Sequence, residues 1–145
     1  MVQLWQTADY IAPFDPGNPG FTSHWWLEDL HRAADQPLDL FTFTVDGEEA
    51  VRASVEASTR INGDSYEGWS GHVDVTEIAF LEVSAAHRGR GHGRAAVSLL
   101  AAHYGARRLA AFSENADEFW GSIGWSRLRR LDGDGAYRSL FVNAP

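Results

Sequence analysis

The stretch that most constrains this chain is Arg88-Gly89-Arg90-Gly91-His92-Gly93-Arg94, where glycine returns at every second position. Glycines so spaced let the backbone turn sharply and leave its N–H groups uncovered. What flanks the loop defines its setting. Before it, Val73, Val75, Ala79, Leu81 and Val83 alternate, as along one face of a strand over 73–83. Glu77 falls on that same apolar face, and Glu82 on the opposite one, where it is expected to be solvated or paired. A carboxylate at Glu77 is costly unless it is paired, protonated or used, and Arg52 or Arg60 could pair it. After the loop, Val97, Leu100, Ala101 and Tyr104 form a helical stripe, so a helix is expected from about Gly91.

Strand, glycine turn and helix together make an anion site. Free amides at a helix N-terminus lie at the positive end of its dipole, and Arg88, Arg90 and Arg94 add charge. A phosphate or pyrophosphate suits such a loop. It is not a P-loop, because Gly-Lys-Ser/Thr is missing. Nor is it the dinucleotide fingerprint, because Arg94 stands where the third glycine belongs. Arg88, Gly91 and Gly93 match R-x-x-G-x-G instead.

That segment resembles the acyl-CoA loop of the GNAT superfamily of acetyl-CoA-dependent N-acetyltransferases. The strand Glu77-Ile78-Ala79-Phe80 resembles the histone acetyltransferase branch, in which a strand glutamate at this distance is the general base. Downstream, Asn115-Ala116-Asp117-Glu118-Phe119-Trp120-Gly121-Ser122-Ile123-Gly124-Trp125 is similar to the family's segment after the loop helix. The likeness is good over residues 73 to 127 and reaches the N-terminal third only in its order of elements.

The resemblance implies acetyl-CoA as co-substrate, with its pyrophosphate on Arg88, Gly89, Arg90, Gly91, His92, Gly93 and Arg94, its pantetheine arm along Leu81 and Val83, and a contact from Asn115. It implies Glu77 as base toward an amine, the Val83 N–H as oxyanion donor, and no metal. It also marks a departure. Trp120 stands where many members carry a tyrosine acid, and an indole N–H only donates. Tyr137, Tyr104 or water is then left for that task. Trp120 also keeps open a non-catalytic acyl-CoA-binding or partner-binding domain on the same fold. An unrelated phosphate binder is the third reading. His87 and His92 could serve as acid–base groups, but beside a glycine loop they are expected to face solvent.

Composition narrows the rest. The chain has 145 residues and no cysteine, which excludes a disulfide framework, a thiolate zinc site and a cysteine nucleophile. All 12 of its basic residues are arginine, so lysine chemistry is excluded too. The net charge of -8 is opposite to that of a nucleic-acid binder and suits either a cationic amine partner or plain solubility. Residues Met1 to Asp9 lack the pattern of a signal peptide, and the run Ala95 to Ala102 is far short of the roughly 20 apolar residues of a membrane span. A cytoplasmic protein with no membrane or nucleic-acid partner is expected. Its substrate is an amine-bearing small molecule or peptide, and its last strands could pair with a second copy as a homodimer.

Taken in order, Val2 to Gln6 alternates as a short strand, and Ile11 to Gly20 is a proline-rich loop. Thr22 or Ser23 can cap a helix whose inner face is Trp26, Leu30, Ala33 and Ala34. Trp25 lies off that stripe, where it could line a cleft or simply pack. Leu40 to Val45 and a strand through Val51, Ala53, Val55 and Ala57 form a hairpin about Asp46-Gly47. Arg60 to His72 reads as a polar loop that offers Tyr66 and Trp69 to a ligand or uses them as a lid. Leu109 to Phe112 is a strand, and Asn115 with Glu118 makes a capping box for a helix that Gly124 stops. Trp125 to Leu131 and Ala136 to Val142 are strands joined by Asp132-Gly133-Asp134-Gly135. The expected class is α+β, a mixed, mostly antiparallel sheet of about seven strands flanked by helices, in one GNAT-like domain over residues 1–145.

Overall fold

The computed structural model describes residues 1–4, 13–22, 25–26, 38–133, 135 and 137–143. Its elements are β1 (Val2–Leu4), β2 (Leu38–Val45), β3 (Glu48–Asn62), β4 (His72–Val83), α1 (His92–Tyr104), β5 (Leu109–Ser113), α2 (Asp117–Ser122), β6 (Ser126–Leu128) and β7 (Ser139–Val142). Short 3-10 turns cover Gly63–Ser65 and Ala85–His87. The strands form one seven-stranded mixed sheet in the order β1-β2-β3-β4-β5-β7-β6. This is the expected class. The helix expected after Thr22 rests on Ser23, Leu30, Ala33 and Ala34, which lie outside the described residues.

The β2–β3 hairpin turns at Asp46 (φ 50) and Gly47 (φ 85), the paired left-handed values that match the twist of flanking strands. β4 and β5 run parallel, with Thr76 opposite Leu109 and Glu77 opposite Ala110, and α1 lies between them in sequence. β5, β7 and β6 close antiparallel, Ala110 opposite Val142 and Ser126 opposite Val142 on its other side.

The chain divides into two compact units, residues 1–56 with 80–103 and residues 57–79 with 104–145. In the first, Phe14, Phe21, Trp26 and Leu40 form a buried cluster, joined by Trp25 and Phe80. Trp25 therefore packs, its ring 6.1 Å from that of Phe80. Arg52, only 2% exposed, lies among these apolar groups, 4.8 Å from the Phe14 ring centroid and 4.2 Å from that of Phe21. Its charge is met by Glu49, which accepts from Nε at 3.0 Å and from Nη2 at 2.7 Å, and by the Asp15 carbonyl at 3.1 Å. Thr42 and Asn18 also donate to Glu49.

In the second unit, Ile61, Tyr66, Val75, Ala110, Leu140 and Val142 are buried together, with Trp69 and Phe112 against them. This corrects the reading of 60–72 as a loop throughout and of Tyr66 as an exposed aromatic. Arg60, Ile61 and Asn62 belong to β3, and Tyr66 is a core residue. The aromatics there are held by guanidinium groups, Arg130 at 5.4 Å from the Tyr66 centroid and Arg108 at 5.3 Å from that of Trp69.

The capping box is also corrected. The residue before α2 is Ala116, with no side-chain cap bond, and Asn115 is instead left-handed at φ 57. The turn is set by Ser113, whose hydroxyl accepts the Ala116 N–H at 3.1 Å. The Ser113 and Ser139 hydroxyls, with the Arg127 charge, hold the Asp117 carboxyl below its usual range against a smaller desolvation effect. Gly124 ends α2 as expected, at φ 86. The last two strands are shorter than expected, and Asp134 and Ala136 lie outside the described residues.

Burial pushes the Glu49 carboxyl up, but hydrogen bonds from Arg52, Thr42 and Asn18, with the Arg52 charge, outweigh it and hold the group below its usual value. A depressed folded-state value contributes stability above the unfolded carboxyl's pKa of about 4.3, and that stability is lost as pH falls through the folded value. Glu49→Gln should therefore lower stability by roughly 2–4 kcal/mol at pH 7, since it leaves a buried guanidinium short of its counter-charge. Urea melts at pH 7 and pH 3 check this. The difference between variant and wild type should shrink at the lower pH, and a difference that stays constant would show the pair contributes nothing through charge.

Candidate functional site

The glycine loop belongs to the first unit, where β4 runs into it. β4 ends at Val83, and Ser84 opens the 3-10 turn Ala85–His87. The Ser84 N–H donates to the Ala50 carbonyl at 2.9 Å and the Ala85 N–H to the Gly20 carbonyl at 3.0 Å, so neighbouring strand and N-terminal loop both grip this corner. Arg88 follows with extended dihedrals. Gly89 and Gly91 then take φ +74 and +81, and nothing lies within 4 Å of where a Cβ would be on either. Glycine is required here for the backbone conformation, not for space inside the protein.

α1 starts at His92, slightly later than the expected Gly91, and the first helical bond described runs from the Ala95 N–H to the Gly91 carbonyl at 3.0 Å. The amides of His92, Gly93 and Arg94 precede it and have no acceptor within the helix. They are aimed at whatever sits before the N-terminus, as an anion cradle requires. Gly93, Ala96, Val97 and Leu100 are the buried face of α1, so its inner stripe begins one turn earlier than read from the sequence. Arg90 and Arg94 are exposed.

The remaining loop groups differ from expectation. Arg88 does not reach out freely. Its Nε donates to the Val83 carbonyl at 3.0 Å and its Nη2 lies 3.5 Å from Glu82 Oε1. His87 is not at the solvent either. It is 9% exposed, its Nδ1 shares a 2.8 Å hydrogen bond with the Ser84 hydroxyl, and its Nε2 stands 3.8 Å from Glu48. His92, half-buried, has its ring 5.7 Å from that of His87.

On β4 the buried side chains are Val75, Thr76, Ile78 and Glu82, whereas Val73, Glu77, Ala79, Leu81 and Val83 are half-buried. The single apolar face drawn from the alternation is thus corrected, because the buried carboxylate on this strand is Glu82 (6% exposed) and not Glu77. Sequence reasoning missed Glu82 and Ser84 as shaping residues. The signal lay in the run Leu81-Glu82-Val83, where an acid sits between two apolar residues directly before the loop.

The second unit holds the other expected site residues. Glu77 is half-buried, opposite Ala110 of β5 in the parallel ladder. Arg52 is matched to Glu49 and Arg60 to Asp74 (3.1 Å), so the two arginines considered as its partners have carboxylates of their own. Asn115 is exposed in its left-handed turn. Trp120 is 5% exposed, its ring 4.7 Å from Trp125 and 4.9 Å from Phe119, which makes it a packing residue. Tyr137 is 58% exposed, with the Arg130 guanidinium 3.7 Å from its ring centroid. Tyr104 is half-buried at the end of α1. Among the described residues no three His, Asp or Glu side chains gather as a metal site, and no helix is long and apolar enough to cross a membrane.

A seven-stranded mixed sheet whose fourth strand feeds a left-handed glycine turn and an exposed helix N-terminus defines an acetyltransferase fold. The chain belongs to the acetyltransferase (GNAT) family, whose model matches residues 2–125. In fold it is similar to the Bacillus subtilis N-acetyltransferase YlbP in complex with coenzyme A, with a TM-score of 0.54 and 20% identity over 76% of this chain and 68% of that one. It is similar to an acetyltransferase from Thermus thermophilus, with a TM-score of 0.55 and 23% identity over 80% and 73% of the two chains. It also resembles AtaT complexed with acetyl-methionyl-tRNAfMet, with a TM-score of 0.58 and 15% identity over 97% and 91%. No curated protein matches the sequence.

Replacing Gly91 by alanine should cost about 1–2 kcal/mol of stability, the penalty of a left-handed backbone for a residue with a Cβ. Thermal melts of Gly91→Ala against Ala95→Gly separate this from ordinary helix propensity. A Gly91 variant as stable as wild type would mean that the loop does not need its positive φ.

Proposed function

We propose that the chain acts as one cytoplasmic acetyltransferase domain over residues 1–145, transferring an acetyl group from acetyl-CoA to a primary amine. The observation that carries this is the pair of left-handed glycines, Gly89 and Gly91, leading into the N-terminal amides of α1. A pyrophosphate fits that cradle. Its negative charge would meet the His92, Gly93 and Arg94 N–H groups and the positive end of the helix dipole, with Arg90 and Arg94 nearby. A pantetheine arm would lie along Leu81 and Val83, and Asn115 would add a contact.

In this reading Glu77 takes a proton from the amine, directly or through one water, since only a neutral amine attacks a thioester. The amine nitrogen bonds to the acetyl carbon as the carbon–sulfur bond breaks. The sulfur departs as a thiolate of pKa about 8.5, which needs little acid assistance near neutral pH. That matters because Trp120 offers no transferable proton. Tyr137 remains the candidate acid, and its surface position against Arg130 supports it less well than the loop supports acyl-CoA.

The acceptor is expected to be a small amine or a peptide amine, which the net charge of -8 favours over nucleic acid. AtaT's complex with acetyl-methionyl-tRNAfMet makes a charged tRNA the acceptor to set against them. The second reading, an acyl-CoA-binding domain without turnover, is favoured by Trp120 at the position where the family's tyrosine acid is expected.

A thermal melt tests the cofactor. Acetyl-CoA at 100 times its dissociation constant should stabilise by about 2.7 kcal/mol, roughly 5–10 °C for a chain of this size, with ATP giving no shift. Glu77→Gln should then bind acetyl-CoA as the wild type does while turnover with an accepted amine falls about 10²–10⁴-fold. Equal turnover would remove Glu77 as base, and no shift in the wild type would remove acyl-CoA.

A further inference from the structure

The buried acid of β4 joins the N-terminal segment to the glycine loop. Among the described residues, the groups that meet Glu82 do so as donors. The Thr22 N–H reaches its two carboxylate oxygens at 3.1 and 3.0 Å, the Thr22 hydroxyl donates at 2.8 Å and the Trp26 indole N–H at 2.6 Å. The Arg88 guanidinium stands 3.5 Å away on the loop side. Thr22 and Trp26 come from the N-terminal segment, whose Gly20 carbonyl also receives the Ala85 N–H at 3.0 Å. Arg88 comes from the glycine loop, and its Nε caps the Val83 carbonyl at 3.0 Å.

We infer that Glu82 is a positioning residue for the glycine loop, holding Arg88 against the end of β4 while its buried side anchors Thr22 and Trp26. The inference rests on the acyl-CoA reading for its consequence in binding. It changes the part played by Arg88. A guanidinium spent on Val83 and Glu82 fixes where the loop leaves the strand, and it acts on a bound pyrophosphate through loop shape. Lysine cannot copy this, because an ammonium lacks the planar fork that serves a carbonyl with Nε and a carboxylate with Nη2 together. Glutamine cannot copy Glu82 either, since its amide nitrogen would face donors wherever it pointed.

The test uses the full chain and the variants Arg88→Lys, Glu82→Gln and the double variant. Amide hydrogen exchange is followed over residues 85–95 without ligand, and acetyl-CoA binding by calorimetry. Arg88→Lys should speed exchange at Gly89 to Arg94 and weaken acetyl-CoA binding by about tenfold or more, with a thermal midpoint close to wild type. The double variant should bind no more weakly than Glu82→Gln alone, as for two groups acting through one contact. If Arg88→Lys exchanges and binds as the wild type does, Arg88 is only a nearby charge and the inference is overturned. Additive losses in the double variant overturn it too. Should Glu82→Gln fail to fold, Arg88→Lys decides alone. A wild type that ignores acetyl-CoA while Arg88→Lys still loosens the loop sinks the acyl-CoA reading and leaves the positioning role standing.

Discussion

The carboxylate of Glu82 is the interaction on which the geometry of the loop end depends. A buried charge survives only if its lost hydration is replaced, and here the replacement comes from chain segments far apart in sequence. Thr22 and Trp26 supply it from one side and Arg88 from the other. A single group thereby ties the N-terminal loop, the end of β4 and the start of the glycine turn within the first unit. Ser84 and His87 reinforce the same corner from behind, the hydroxyl and the imidazole 2.8 Å apart and both buried. The left-handed Gly89 and Gly91 can then present the α1 amides outward, because the residues before them are already fixed.

What was legible in the sequence was what depends on local chemistry. Asp46-Gly47 marked a hairpin because only such residues accept two positive φ values in succession. The glycine loop was legible for the same reason, and the helix after it from the apolar stripe through Val97 and Leu100. What was not legible depended on neighbours brought in by the fold. Alternation along β4 suggested one buried face, yet Val75 and Thr76 are adjacent and both buried, so face and burial do not follow a simple period of two there. Glu82 is expected to be solvated or paired, and it is paired with Arg88, but nothing local announces that Thr22 and Trp26 will close over it. Tyr66 and Trp69 looked like ligand residues because they sit among glycines, although β7 residues Leu140 and Val142 bury with Tyr66 in one cluster.

The Asn115–Glu118 pattern failed for a related reason. A capping box is a local signal, but it competes with other hydroxyls in reach. Ser113 took the Ala116 N–H first, and Asp117 was drawn to Ser139 at 3.0 Å across to β7. Asn115 was left to make the left-handed turn, a conformation that asparagine tolerates better than most residues. The outcome leaves an exposed amide side chain just past the end of β5.

A chain whose 12 basic residues are all arginine makes unusual use of them. Arg52 is buried between Phe14 and Phe21 while its Nε and Nη2 serve Glu49. Arg130 lies over the Tyr137 ring at 3.7 Å while its Nε and Nη2 serve Asp132 at 2.8 and 2.7 Å. Arg88 divides the same two nitrogens between Val83 and Glu82. Each role needs a flat cation with donors in fixed directions, which lysine does not provide. The consequence reaches the site. In the acyl-CoA reading proposed above, Arg88 acts through the shape of the loop, and the amides at the start of α1 supply donors to the anion. Amide donors are fixed in direction by the helix, and they select a ligand by the shape of its anionic group more than by its total charge.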